Sequence, residues 1–264
     1  MTKQRILIVE GNTPAMISGD CTPAAHYFIR AFGDLDESVK YKVSCPYAVP
    51  FQVGELEEID GIVFTGSGVE WSCDAEEAAP LRRAMEHAFE NGLPVWGSCN
   101  GLQLAAVLLG GAVGASLNGP EIGLSKAIRK TDAGKEHAGL AGREDIYAVP
   151  CIHRDEIKHL PTDALVLAEN DHSPVQAFAY STDGVDFWGT QYHPECTPLS
   201  IAEALKTSDK DFVGKIAMIY DLEISEDDPA AAERLGATCD ALRPAIRTIE
   251  LGNWLKHVKD RKIP

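Results

Sequence analysis

Through the first 111 residues of this chain, short uninterrupted apolar runs alternate with segments of helical period, and a glycine-bearing turn closes each run. Ile6-Leu7-Ile8-Val9, closed by Gly11-Asn12, is the first. Gly61-Ile62-Val63-Phe64-Thr65 is the second and ends in Gly66-Ser67-Gly68; Leu93-Pro94-Val95-Trp96-Gly97 is the third. A strand with no polar side has no solvent-facing edge to offer, so it belongs in a parallel sheet covered on both faces. The intervening segments supply the cover. Pro23 to Phe32 reads as a helix, with Thr22 as N-cap and Pro23 at its first position. Asp74 with Glu77 makes a capping-box-like start for a helix to about Glu90, which Asn91-Gly92 stops. The third strand turns through Ser98-Cys99-Asn100-Gly101 into the apolar helix Leu102–Leu109, which Gly110-Gly111 ends. Such alternation predicts an α/β fold: an open, mainly parallel sheet with helices on both faces.

From about Val113 to Gln191 the pattern shortens to strands. Val175 to Tyr180 alternates with period two, and Asp186 to Tyr192 reads as another strand; these are expected to form an antiparallel extension and the last strands of the main sheet. Beyond Ser200 the chain is helix-rich and acidic up to Asp228. Residues 1–200 are therefore expected to form one domain and 201–264 a helical C-terminal extension packed on it.

A chain of 264 residues, 45% hydrophobic, can bury a core without metals or disulfides. The seven cysteines are odd in number, form no CxxC and sit near no histidine at zinc-ligand spacing, which predicts reduced thiols and no metal. Forty acidic against 24 basic residues give a net charge of −16, which disfavours nucleic acid and anionic lipid as partners. Only five apolar residues precede Glu10, and no apolar run approaches the ~20 residues that span a bilayer. A cytoplasmic protein without a membrane span is expected.

The chemistry concentrates at Gly97-Ser98-Cys99-Asn100-Gly101. A strand that enters a helix through G-x-C-x-G carries its middle residue on a tight turn, the geometry of a nucleophile elbow. Flanking glycines are needed because backbone crowds there. The turn lifts the sulfur to the carboxyl end of the sheet, and the helix from Asn100 aims its positive end at it. The partner expected for the thiol is His193. Tyr192-His193-Pro194-Glu195 follows an apolar strand, and residues two apart in extended chain point the same way. Glu195 can then orient the imidazole while His193 takes the thiol proton.

Gly97-Ser98-Cys99-Asn100-Gly101-Leu102-Gln103 resembles the G-x-C-x-G-x-Q string of class I glutamine amidotransferases, and Tyr192-His193-Pro194-Glu195 resembles their [FY]-H-P-E. The glycine-rich turn at Gly66-Ser67-Gly68 has a counterpart upstream in that family. His153-x-Asp155 before Leu160-Pro161, and Pro174-x-Gln176-Ala177-Phe178, add to the likeness, which covers roughly residues 5 to 200. The resemblance implies the flavodoxin-like fold of class I glutaminases and a two-step acyl transfer through a γ-glutamyl thioester, with no cofactor. It implies Cys99, His193 and Glu195 as catalytic residues and Ser67 and Asn100 as oxyanion-hole amides. It implies Gly66, Gly68 and Gln103 as substrate-binding residues.

Two departures stand out: Gly66-Ser67-Gly68 where the family often has Gly-Gly-Pro, and Leu102 where a histidine commonly precedes the motif glutamine. Both leave the nucleophile and base intact and bear on substrate preference. Cys151 and Cys196 are read as packing around the motifs, His137, His159 and His172 as solvated, and Trp71 as either a pocket wall or core. No P-loop is present. Three readings stay open: a glutaminase that releases ammonia, to a synthase partner in trans; a γ-glutamyl peptidase or hydrolase with the same triad; and a catalytically silent binding protein. The substrate would be glutamine or another γ-glutamyl compound.

Overall fold

The computed structural model describes residues 3–19, 22–207 and 215–261; Cys21 and, within the expected extension, residues 208–214 and 262–264 lie outside the described residues. Eleven strands are formed among these residues: β1 (Arg5–Val9), β2 (Lys40–Ser44), β3 (Gly61–Phe64), β4 (Pro94–Ser98), β5 (Ala112–Ala115), β6 (Glu121–Lys130), β7 (Ile146–His153), β8 (Asp155–His159), β9 (Leu165–Glu169), β10 (Ala177–Tyr180) and β11 (Asp186–Thr190). Nine of them make one open sheet in the order β2-β1-β3-β4-β11-β10-β9-β6-β7. The first five run parallel to their neighbours. From β11 onward the pairings through β10, β9, β6 and β7 are antiparallel, and β5 pairs separately with β8.

The helices in the first half are α1 (Pro14–Ser18), α2 (Ala24–Leu35), α3 (Ala79–Glu90) and α4 (Asn100–Leu108). Later come α5 (Asp132–Glu136), α6 (Pro198–Thr207), α7 (Ile216–Ile224), α8 (Pro229–Arg234), α9 (Cys239–Leu242), α10 (Pro244–Arg247) and α11 (Ile249–Arg261). Alternation along β1 shows how both faces are covered. Ile6 and Ile8 pack with Phe28 and Phe32 of α2 and with Leu251, Trp254 and Val258 of α11. Leu7 and Val9 point the other way, to Leu81 and Met85 of α3 and Leu102 of α4. This is the α/β architecture expected from the apolar runs.

Two helix starts differ from expectation. The N-cap of α2 is Pro23 and makes no side-chain cap bond. The first-turn amide of Ala25 instead donates to Glu10, 2.8 Å away, and Glu10 also accepts from the Asn12 amide at 2.9 Å. A carboxylate from the end of β1 thus does the capping, favoured there by the positive helix end. Burial pushes the Glu10 carboxyl up, against the backbone donors that favour its charge. The Asp74/Glu77 capping box is not formed either: a single 3-10 turn at Glu76–Ala78 leads into α3, whose N-cap is Ala78. Pro80 in the first turn of α3 needs no amide partner, which suits that start. β2 was not expected, because Lys40, Tyr41, Lys42 and Val43 are exposed at the sheet edge and leave no apolar pattern. Charged residues on an edge strand discourage further pairing.

Candidate active site

Strands β3, β4 and β11 are neighbours in the sheet, so the turns that leave their carboxyl ends converge. That places Gly66-Ser67-Gly68, Cys99 and His193-Pro194-Glu195 in one crevice.

Cys99 has φ 49° and ψ −99°, a backbone conformation that a residue with a side chain seldom adopts. The neighbouring glycines explain how the turn is possible. A Cβ on Gly97 would lie 2.7 Å from the Gly101 carbonyl, and one on Gly101 would lie 2.3 Å from the Phe64 carbonyl oxygen. Both flanking positions must be glycine for the helix to start against β3 and β4. Strain held by surrounding packing at such a turn is typical of functional residues. The Cys99 amide donates to the Thr190 carbonyl at 2.8 Å, which locks the elbow to β11. Cys99 is 6% exposed, and its thiol lies 3.7 Å from the Ile152 carbonyl oxygen. Asn100 opens α4, so its amide has no carbonyl partner within the helix.

His193 is held by backbone on one side and carboxylate on the other. Its amide donates to the Pro150 carbonyl at 2.8 Å, and its Nδ1 lies 2.7 Å from Glu195 Oε1. Its Nε2 is buried with no hydrogen-bond partner among the described residues. Burial, the largest single effect, would depress the imidazole pKa, yet the charge of Glu195 and hydrogen bonding to Cys196, Cys99 and Glu195 together raise it well above the ordinary value. The Ser98 hydroxyl donates to the Glu195 carboxylate, 2.8 and 3.0 Å from its two oxygens. Cys196 lies beside the pair: His193, Glu195 and Cys196 bring one donor atom each within 4.8 Å of one another. Burial and the Glu195 charge push the Cys196 thiol up, which suits a neutral neighbour.

The glycine-rich turn lies against the imidazole. A Cβ on Gly66 would come within 2.7 Å of His193 Cε1 and 3.7 Å of Cys99 Cβ. The Thr65 hydroxyl donates to the Gly66 carbonyl at 2.8 Å and accepts from the Gly11 amide at 2.9 Å. Ser67 Oγ donates to the Gly11 carbonyl at 2.7 Å, and the Gly68 amide donates to Asn12 Oδ1 at 3.0 Å. Asn12 and Gly11 therefore brace the turn from the end of β1, a role the sequence pattern did not reveal. Its only signal was a glycine-asparagine pair closing the first apolar run.

Gln103 is 5% exposed, and its amide nitrogen is committed to the Asp155 carbonyl at 2.7 Å and Gln191 Oε1 at 3.0 Å. His153 is buried, with Nε2 2.8 Å from Glu121, and Gln176 donates to the same carboxylate at 2.7 Å. These two motif residues share one buried network behind the crevice. Asp155 receives both Nε and Nη2 of Arg154, and Arg154 also donates to the Glu70 carbonyl at 2.8 Å. Trp71 donates to the Tyr47 hydroxyl at 3.2 Å and packs edge-on against that ring. Of the histidines expected to be solvated, His159 is exposed. His137 is half-buried against Trp188, and His172 Nε2 bonds the Gly119 carbonyl.

The family model described as glutamine amidotransferase class-I matches residues 25–205. This chain belongs to the class I glutamine amidotransferase family. It is thus an enzyme of the cysteine-dependent amidohydrolase type. A γ-glutamyl-L-1-hydroxyisopropylamide hydrolase from a Pseudomonas species is 30% identical over 291 residues, covering 98% of this chain and 94% of the relative. A glutamine-hydrolysing GMP synthase from Leifsonia xyli subsp. xyli is 39% identical over 137 residues, covering 51% of this chain and 25% of the synthase. The chain thus aligns with only about a quarter of that synthase. Among solved structures, a glutamine amidotransferase from Thermotoga maritima shares the fold with a TM-score of 0.64 at 19% identity, covering 98% of this chain and 99% of that one. One from Methylobacillus flagellatus gives 0.63 at 21%, covering 100% and 95%. No helix among the described residues is long and apolar enough to cross a membrane.

Proposed function

We propose that this member of the family hydrolyses γ-glutamyl amides through Cys99, with His193 as base and acid and Glu195 as the group that orients it. The observation that carries the reading is the thiol of Cys99 on a strained elbow beside a buried imidazole whose other nitrogen is bound to Glu195 at 2.7 Å. The raised His193 pKa favours an imidazolium able to sit beside a thiolate.

In the first step the thiolate attacks the side-chain amide carbon, and the carbonyl oxygen takes the negative charge. The amides of Asn100 and Ser67 are the donors proposed for that oxyanion. Support for Ser67 comes from its peptide: the Gly66 carbonyl is held by the Thr65 hydroxyl, and in a trans peptide the Ser67 N–H points the opposite way. His193 gives its proton to the leaving nitrogen, the C–N bond breaks, and a γ-glutamyl thioester remains on Cys99. Water then attacks the thioester, His193 takes its proton, and glutamate leaves with the thiolate restored. Gly66, Gly68 and Gln103 are proposed to line the γ-glutamyl site. Gly66 does so because any side chain there would meet the imidazole.

Two leaving groups fit. The near-full-length likeness to a hydrolase of a γ-glutamyl alkanolamide favours a small organic amine. The 137-residue likeness to a GMP synthase favours ammonia from glutamine, passed to a synthase in trans. The 1–200 domain with a 201–264 extension packed on it is proposed as the unit that acts. The test is turnover of glutamine and of a γ-glutamyl alkylamide and alkanolamide panel, with Cys99→Ala in parallel. Turnover that Cys99→Ala abolishes supports the thiol route, and the preferred leaving group separates the two versions. Turnover that survives in Cys99→Ala would refute it.

A further inference from the structure

We propose that Arg247 and Glu250, beyond the family match that ends at residue 205, are positioning residues that hold the His193 loop in its working geometry. The proposal rests on the reading of His193 and Glu195 as the working pair.

Glu250, in the first turn of α11, is 1% exposed. The Tyr192 hydroxyl donates to it at 2.8 Å and Arg143 Nε at 3.0 Å, with Arg143 Nη2 on its other oxygen. Tyr192 has one proton and gives it to Glu250, so the Tyr147 hydroxyl, 2.8 Å away, is the donor to the Tyr192 oxygen. Tyr192 is the residue directly before His193. On the other side, Arg247 is 3% exposed, and its Nε donates to the Pro194 carbonyl at 3.3 Å. Its Nη1 donates to the Leu242 carbonyl at 2.7 Å and to Glu226 at 3.4 Å. The residues flanking His193 are therefore both tied to one short segment, α10–α11.

Simple packing does not call for these groups. Leu251, Trp254 and Val258 cover the sheet face from the same helix with apolar side chains alone. Buried charges disfavour folding unless fully paired, and Arg247 feels this directly, because burial pulls its guanidinium below its ordinary value. What the charged groups add is direction: a planar fork and a carboxylate fix the main chain around His193 more narrowly than methyl groups can. Misplacing a reacting group by about an ångström can lower a rate by ~100-fold.

The experiment compares Tyr192→Phe, which removes only the hydroxyl that reaches Glu250, with Arg247→Met. Arg247→Lys replaces the latter if Met does not fold. Asp186→Asn serves as control, since Asp186 anchors the far end of α11 through His257 and Arg261 and does not touch the loop. Two quantities are read on the full chain: kcat and KM, and the rate at which iodoacetamide alkylates Cys99 across pH, followed by mass at that residue. The expected result is folded Tyr192→Phe and Arg247 variants with kcat and neutral-pH alkylation both down by about tenfold and KM within about twofold, while Asp186→Asn matches the wild type. Folded variants that keep the wild-type kcat and alkylation profile overturn the proposal. So does an equal fall in Asp186→Asn, which would mark a general loosening of α11. Turnover that survives Cys99→Ala would sink the functional reading instead; the alkylation comparison needs no substrate and still decides between positioning and packing.

Discussion

The Ser98 hydroxyl donates to Glu195, 2.8 and 3.0 Å from its two carboxylate oxygens, from the residue directly before Cys99. The strand that delivers the thiol thus also fixes the carboxylate that orients the imidazole. Removing this hydroxyl leaves Glu195 bound to His193 but free to rotate about that bond. Ser98→Ala is expected to lower kcat by roughly tenfold with little change in KM or in the thermal midpoint. Steady-state kinetics beside a melting curve checks it, and an unchanged kcat would show that His193 alone suffices to hold Glu195.

Glu195 is the largest of the groups that favour a protonated His193. Burial by itself lowers the imidazole pKa, and the Glu195 charge, together with hydrogen bonding to Cys196, Cys99 and Glu195, more than reverses that. The group is raised, so steps that need the imidazolium are available below the raised value and lost as pH rises through it. Glu195→Gln keeps the burial and removes the charge. The basic limb of the kcat/KM profile is expected to move to lower pH, with activity at neutral pH reduced. A basic limb at the wild-type position would mean that another group governs it.

At Gly101 a methyl group would sit 2.3 Å from the Phe64 carbonyl oxygen, backbone against backbone, where no side chain can swing aside. Gly101→Ala is expected to cost about 2–4 kcal/mol of stability, measured by urea unfolding with the wild-type slope. A cost under ~1 kcal/mol would show that α4 can slide along β3.

Asp186 anchors the end of α11: His257 Nε2 lies 2.8 Å from it, and Arg261 pairs with the same oxygen. Burial pushes its carboxyl up, but its contacts with His257 and Arg261 together outweigh that and hold it below its ordinary 3.8. Its contribution is present above 3.8 and is lost as pH falls through the depressed folded value. Asp186→Asn is expected to cost about 1–2 kcal/mol at pH 7, with the gap to wild type closing at strongly acid pH. Denaturation at both pH values reads this directly, and a constant gap would rule out the ionic contribution.

Much of the layout was legible because β1, β3 and β4 are apolar on both faces, a pattern few other environments tolerate. The elbow was legible for a related reason: Gly97 and Gly101 are there for close backbone contacts, and Cys99 stands between them. Apart from the motif residues around Cys99 and His193, contacts between residues far apart in sequence were not legible. Glu10 reads as the end of a strand, and only the fold brings α2 to it as a helix needing a cap. Asn12 braces a turn 56 residues away, and Glu250 reaches Tyr192 across 58. Local pattern has no access to such pairs. β2 escaped notice because four of its five residues are exposed, so no apolar face marks it.

β11 enters the sheet between β4 and β10, both of which precede it in the chain, and pairs Thr190 with Ser98. During synthesis, then, the cysteine leaves the ribosome long before the histidine that faces it has been made. Until residues 186–195 insert beside β4, a nascent chain carries a thiol with no imidazole at hand, and until α10 and α11 follow, the loop lacks its clasp. A stalled or truncated chain therefore lacks the imidazole that would activate the thiol. The order in which the strands are threaded makes reactivity a property of the finished molecule.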